Sequence, residues 1–237
     1  MNVVSIMAHP DDEMRCLGTM LKCRQRGDRL WLIVLTDGSK GMVQRPETPR
    51  EEAARVRREE MSALAADLKA EYLCLGELDE FLYDTPEVRM RLIEAIRRSR
   101  ADLVFTHNDQ DYNLDHTTTS SLVRHGLMQS CLPVLPTETR PLGAHPAVFM
   151  VQPHGPFEFT PTHFVDISDY EQDKVRLLGH HRSQEEAMRA APGVEVGFEQ
   201  LCRRPDAYWG EQAGCAFAEA FLPMRSRGSI KPYPVLP

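Results

Sequence analysis

Four short apolar runs constrain this chain more than any other feature: residues 2–8, 29–36, 71–75 and 102–106. A near-continuous apolar run of that length reads as a strand covered on both faces, the habit of parallel sheets. Helical spacing fills the gaps. Met14, Leu17 and Leu21 form a stripe over 14–26, which Gly27 ends. Thr48-Pro49-Arg50-Glu51 predicts a capping box with proline at the first helical position. A third helix is expected near Thr85-Pro86, with Val88, Leu92, Ile93 and Ile96 on one face, and a fourth from about His116. This alternation predicts an α/β fold, a Rossmann-like and mostly parallel sheet with helices on both faces. Right-handed crossovers then give the strand order 3-2-1-4 and onward.

The rest of the chain is less regular. Residues 131–146 are rich in proline, 147–151 and 158–167 read as strands, and 168–190 and 199–221 read as helices. No linker or repeat interrupts the pattern. We therefore expect one domain over 1–237, long enough for a substantial core.

Composition narrows the function. The formal net charge is −7, which argues against a nucleic-acid or anionic-membrane surface. One local arginine would still suffice for a small anionic substrate. None of the six cysteines forms a C-x-x-C pair, so a cysteine zinc knuckle is not expected. No basic leader or long apolar run stands at the N-terminus, and a cytoplasmic location is the expectation.

After the first run a nucleotide-binding sheet would carry glycines. This chain carries Ala8-His9-Pro10-Asp11-Asp12-Glu13 instead. Acidic residues opening a helix can be purely structural, through capping and the helix dipole. A histidine three residues before Asp12 also suits a divalent cation. The motif alone leaves both readings open.

Topology adds a second group. The loop after the fourth run holds His107-Asn108-Asp109-Gln110-Asp111-Tyr112-Asn113-Leu114-Asp115-His116. In the order 3-2-1-4, strands one and four are neighbours across the switch point, so their C-terminal loops meet. His9, Asp12 and His116 could then form a site of two imidazoles and one carboxylate, the composition of catalytic zinc with an open position. Such a site also accepts Fe²⁺.

These strings resemble the PIG-L/LmbE-like zinc N-deacetylases, the GlcNAc de-N-acetylase family. Residues 8–13 are similar to its first signature and Asp111–His116 to its second. Thr36–Gly41, Arg57–Glu60, Val165–Ser168, His181–Gln184 and Ala218–Phe221 resemble further segments, in order, over residues 2 to about 222. The resemblance implies a Rossmann-like fold, one Zn²⁺ held by His9, Asp12 and His116, and hydrolysis of an acetamide on an amino sugar or a similar small N-acetylated amine. It implies Asp11 as general base, and Arg57 and His181 as substrate contacts. The bland reading of Arg57 is a surface pair with Glu60. The family also suggests a homo-oligomer, a trimer or hexamer.

The chain departs from the family at Asn113, where many relatives carry a histidine that stabilises the oxyanion or supplies a proton. Asparagine can donate a hydrogen bond but cannot shuttle a proton at pH 7. That leaves the catalytic parts of Asn113 and Asp115 open, and His181 or His107 could substitute. His154, in a loop, could line the pocket, although a loop histidine is more often incidental. Two alternatives stand beside deacetylation: a zinc-dependent hydration on the same scaffold, and a non-catalytic metal-binding protein.

Overall fold

A computed structural model describes residues 1–155, 157–190 and 197–225; the expected single domain also takes in residues outside these. The strands are β1 (Asn2–Met7), β2 (Arg29–Thr36), β3 (Ala70–Glu77), β4 (Leu103–Thr106), β5 (Ala147–Val151), β6 (His163–Asp166) and β7 (Ala218–Pro223). The helices are α1 (Leu17–Gln25), α2 (Arg50–Leu68), α3 (Pro86–Ser99), α4 (Leu114–Gln129), α5 (Glu171–Leu178), α6 (Arg182–Ala190) and α7 (Phe198–Ala213). Sheet order is β3-β2-β1-β4-β5-β7-β6. The pairs from β3 through β5 are parallel, and β7 is antiparallel to both β5 and β6. The mostly parallel α/β sheet and its 3-2-1-4 core are as expected.

Alternate residues of β1 feed two cores. Val3 and Met7 join Leu17, Met20, Met61, Leu64 and Leu177, so α1, α2 and α5 cover one face. Val4 and Ile6 join Val88, Leu92, Ile96, Leu122 and Val123, so α3 and α4 cover the other. Two-sided burial is why β1, β2 and β4 are apolar without alternation.

Several local expectations need correction. The segment 199–221 is helix α7 followed by strand β7, not one helix. Ala218-Glu219-Ala220-Phe221 favours helix by propensity, but its slot between β5 and β6 overrides that preference. The helix expected over 168–190 is two, α5 and α6, separated at Gly179-His180-His181. The strand expected over 158–167 is confined to β6. The helix expected over 14–26 opens as a 3-10 turn, Asp12–Arg15, before α1. No capping box forms at α2: Thr48 closes a turn onto Arg45 O at 3.0 Å, and extended Pro49 takes the N-cap position. Thr85 does cap α3, its hydroxyl accepting from Val88 N at 3.3 Å. Among the described residues no helix is long and apolar enough to cross a membrane.

Candidate metal centre and active cleft

The parallel strands deliver their C-terminal loops to one edge of the sheet, the usual ligand edge of such folds. β1 delivers His9, Asp11 and Asp12, β3 delivers Asp79 and Glu80, β4 delivers the loop to His116, and β5 delivers His154. These residues line a cleft of about 350 Å³, whose wall also includes Arg57, Lys40 and Tyr112.

His9, Asp12 and His116 meet there. Asp12 folds back so that its Oδ2 accepts from His9 N at 2.7 Å. His116 stands in the first turn of α4, which Asn113 caps by accepting from Asp115 N at 2.7 Å and His116 N at 3.3 Å. His9 Nδ1 lies 3.1 Å from His116 Nε2 and 3.3 Å from Asp12 Oδ2. His116 Nε2 lies 3.3 Å from Asp12 Oδ1. Tetrahedral ligand bonds of about 2.0–2.1 Å would set ligand atoms about 3.3 Å apart, so the two rings and the Asp12 carboxylate lie at separations that suit a zinc ion.

Each imidazole is backed by carboxylate on its other nitrogen. His9 Nε2 lies 3.1 Å from Asp79 Oδ1 and 3.3 Å from Asp115 Oδ2. His116 Nδ1 lies 3.1 Å from Asp111 Oδ1. Asp115 is itself fixed by the backbone N–H groups of Glu80 (2.9 Å) and Leu82 (3.0 Å). Carboxylate-backed imidazoles are the usual surroundings of protein-bound metals. The donor set therefore fits a divalent cation.

The electrostatics agree. Burial opposes a proton on His116, but Asp12 and Asp111 outweigh it and hold the ring's pKa at about 9. His9 is raised too, burial losing to Asp115, Asp12 and Asp79. Burial would raise Asp12, yet the facing rings of His116 and His107 take it well below the ordinary range. A cation in the triangle would take over the role of these protons.

Asp11 stands apart from the triangle, with its carboxylate on the cleft. Its backbone φ is 145°, in the region that favours glycine. Arg57 holds it there. The guanidinium reaches Asp11 Oδ2 at 3.3 Å, donates to Pro10 O, and donates to Ser183 Oγ at 3.3 Å. Glu60 Oε2 lies 3.7 Å from the same group. Burial raises the Asp11 carboxyl to about 6 against the pull of Arg57. A raised pKa at a cleft, beside backbone in that region, makes Asp11 a candidate for a functional carboxylate.

The remaining sequence-derived candidates divide. Asn113 lines the cleft, where its amide donates to Glu80 Oε1 at 2.9 Å. Arg57 is only 1% exposed, so the surface-pair reading does not hold. His181 does not line the cleft: buried behind it, its Nε2 meets Glu13 Oε1 at 2.7 Å. Asp79 was not singled out by the sequence and His107 only as a substitute. Both follow parallel strands at the ligand edge, which is the signal that would have found them. His107 stacks on His116 at 4.0 Å, and its Nε2 accepts from Ala8 N at 3.0 Å. Burial and the neighbouring His116 hold it neutral, with a pKa of about 4.

A model of PIG-L, described as GlcNAc-PI de-N-acetylase, matches residues 4–127. The chain belongs to the PIG-L family. Over 231 residues it is 29% identical to a diacetylchitobiose deacetylase of Thermococcus kodakarensis, covering 93% of this chain and 83% of the relative. This PIG-L chain superposes with a TM-score of 0.80 on the N,N'-diacetylchitobiose deacetylase of Pyrococcus horikoshii in complex with an inhibitor, at 25% identity over 94% of this chain and 83% of that one. The 4-carboxy-2-hydroxymuconate hydratase of Pseudomonas putida gives a TM-score of 0.77 at 20% identity over 98% and 100% of the chains, a likeness of fold alone. By family and relatives, this PIG-L protein is a hydrolase of the N-deacetylase class.

Proposed function

We propose that the protein is a zinc-dependent hydrolase that removes the acetyl group from an N-acetylated amino sugar, or a similar small amine, within a single catalytic domain. The observation that carries the reading is the triangle of His9, Asp12 and His116, with carboxylates behind both rings and Asp11 beside it on the cleft. Two of the deacetylases it is similar to are named for diacetylchitobiose, which supports the substrate class.

In this proposal His9, Asp12 and His116 hold the metal. When bound, zinc supplies an acidified water and a Lewis acid for the acyl oxygen. Asp11 is the general base. It takes one proton from the attacking water as the carbon–oxygen bond forms, then passes that proton to the amide nitrogen as the carbon–nitrogen bond breaks. The amine leaves neutral, and the other water proton leaves with acetic acid, which ionises to acetate. A carboxyl with a pKa of about 6 suits both transfers near neutral pH. Arg57 fixes the base, Asp115 fixes His9, and His181 braces Glu13 behind the motif. A homo-oligomer, trimer or hexamer, belongs to the same proposal and is read by sedimentation velocity.

The test is acetate release. Metal-free protein is reconstituted with Zn²⁺ or Fe²⁺ and given N-acetylglucosamine and N,N'-diacetylchitobiose. Acetate and free amine should appear in equal amounts with the metal and not without it. No release with either metal from a panel of N-acetyl amino sugars overturns the reading.

A further inference from the structure

One imidazole on the cleft has no part in the scheme above. His154 lies in the loop after β5 and lines the same wall as His116, their ring centroids 5.5 Å apart. Its backbone N–H donates to Asp111 Oδ2 at 3.0 Å, which fixes the loop to the carboxylate behind His116. Its ring is fixed as well. Nδ1 lies 3.4 Å from Arg15 Nη2. Arginine offers donors only, so Nδ1 must accept and the ring proton must sit on Nε2. Arg15 is itself only 8% exposed, so this contact is shielded from water.

The Nε2–H so defined is shielded from bulk solvent and has no hydrogen-bond partner. Its nearest acidic neighbour, Asp12 Oδ1, is 4.0 Å away, beyond hydrogen-bond range. His154 is also no member of the ligand triangle, whose atoms lie within 4.8 Å of one another. A buried donor left unmade is costly unless something fills it. What can fill it is an oxygen bound in the cleft next to Asp12. Asn113 is less free to do so, because its oxygen caps α4 and its amide donates to Glu80.

We infer that His154 is a catalytic residue, whose Nε2–H donates to the acyl oxygen as that oxygen gains charge. The inference rests on the deacetylase reading of the cleft. It divides the labour: Asp11 moves the proton, and His154 holds the oxyanion without giving up its own. Arg15 is the positioning residue that sets the tautomer.

The test compares His154→Ala and His154→Gln in zinc-loaded full-length protein. The glutamine amide nitrogen stands as many bonds from the backbone as Nε2 and donates without carrying charge. Acetate release should fall in kcat by about 10²–10³-fold in the alanine variant, the usual loss of one oxyanion donor, with KM far less changed, and glutamine should recover most of it. A readout without turnover is calorimetric affinity for an N-acetylglucosamine analogue with a tetrahedral methylphosphonyl group on nitrogen. Affinity should weaken in the alanine variant and return in the glutamine variant, while zinc affinity by chelator competition stays at the wild-type value. Unchanged kcat and analogue affinity in His154→Ala overturn the inference. So does a loss explained by weaker zinc binding, which would make His154 a support for Asp12. Wild-type protein that binds zinc but releases no acetate overturns the deacetylase reading, and the inference falls with it.

Discussion

Arg57 and Asp11 meet at 3.3 Å on the wall of the cleft, and the same guanidinium donates to the carbonyl of Pro10, the residue before Asp11. The arginine therefore holds both the side chain and the preceding peptide of the proposed base. Replacing Arg57 by methionine keeps the volume and removes every donor. Breaking a buried pair from one side costs about 3–5 kcal/mol. We expect a fall in Tm with that loss of stability, and a loss of turnover that added zinc does not restore. Turnover at the wild-type rate in a folded variant would detach Arg57 from the mechanism.

Asp11→Asn preserves shape and removes the base. Zinc content should stay at one per chain while acetate release drops by about 10²–10⁴-fold, the span of general base catalysis. Metal analysis beside the rate measurement separates this from a lost site. Full turnover in the asparagine variant would move the base elsewhere.

The backbone at Asp11, with φ 145°, gives a stability test independent of catalysis. In an ordinary loop, alanine is more stabilising than glycine because it restricts the unfolded chain. Here the order should invert, since a strained non-glycine residue costs about 1–3 kcal/mol. Asp11→Gly should unfold at higher denaturant concentration than Asp11→Ala, both variants having lost the contact with Arg57. The opposite order would mean that this φ carries no strain.

Protons should leave as the metal enters. In metal-free protein the neighbouring carboxylates hold a proton on His116 up to a pH of about 9, and His9 is raised as well. Ligation needs the neutral rings. Zinc titrations at pH 7 in buffers of different ionisation enthalpy should therefore show about two protons released per zinc, and affinity rising with pH. The sign for stability is opposite without metal. An unfolded histidine loses its proton near pH 6.5, roughly. The folded pKa of His116 lies above that value, so its contribution to metal-free stability is complete below pH 6.5 and disappears as pH rises through about 9. Zinc uptake with no proton release would contradict the assignment of these ligands.

The fold and half of the site were legible for the same physical reason. Strands covered on both faces must be apolar throughout, so β1, β2 and β4 announce themselves, and right-handed crossovers order them. That order brings His116 to His9 across more than a hundred residues of chain. β7 was illegible because its alanines and glutamate carry no strand signal, and only the gap between β5 and β6 makes them one. Asp79 and His154 were obscured in another way. Each sits in an unremarkable loop of mixed polarity, and its meaning comes from sharing an edge of the sheet with a motif far away in sequence. Asn113 reads as a lost catalytic group in sequence, whereas the structure gives it the cap of α4 and a bond to Glu80.

β7 has a further consequence, for how distant parts of the chain depend on one another. Glu219 reaches back 201 and 200 positions to accept from Gly18 N at 2.9 Å and Thr19 N at 2.7 Å, the first turn of α1. Lys174 neutralises it at 2.8 Å while also gripping Asp206 at 2.5 Å. The helix that follows the His-Pro-Asp-Asp-Glu motif thus takes its capping carboxylate from a strand two hundred positions further along the chain. A chain cut before β7 keeps the residues that pair β1 with β2 and β4, but leaves the first turn of α1 without its acceptor and Lys174 without one of its two carboxylates. The last strand of the sheet is in this way a fastener for the first helix.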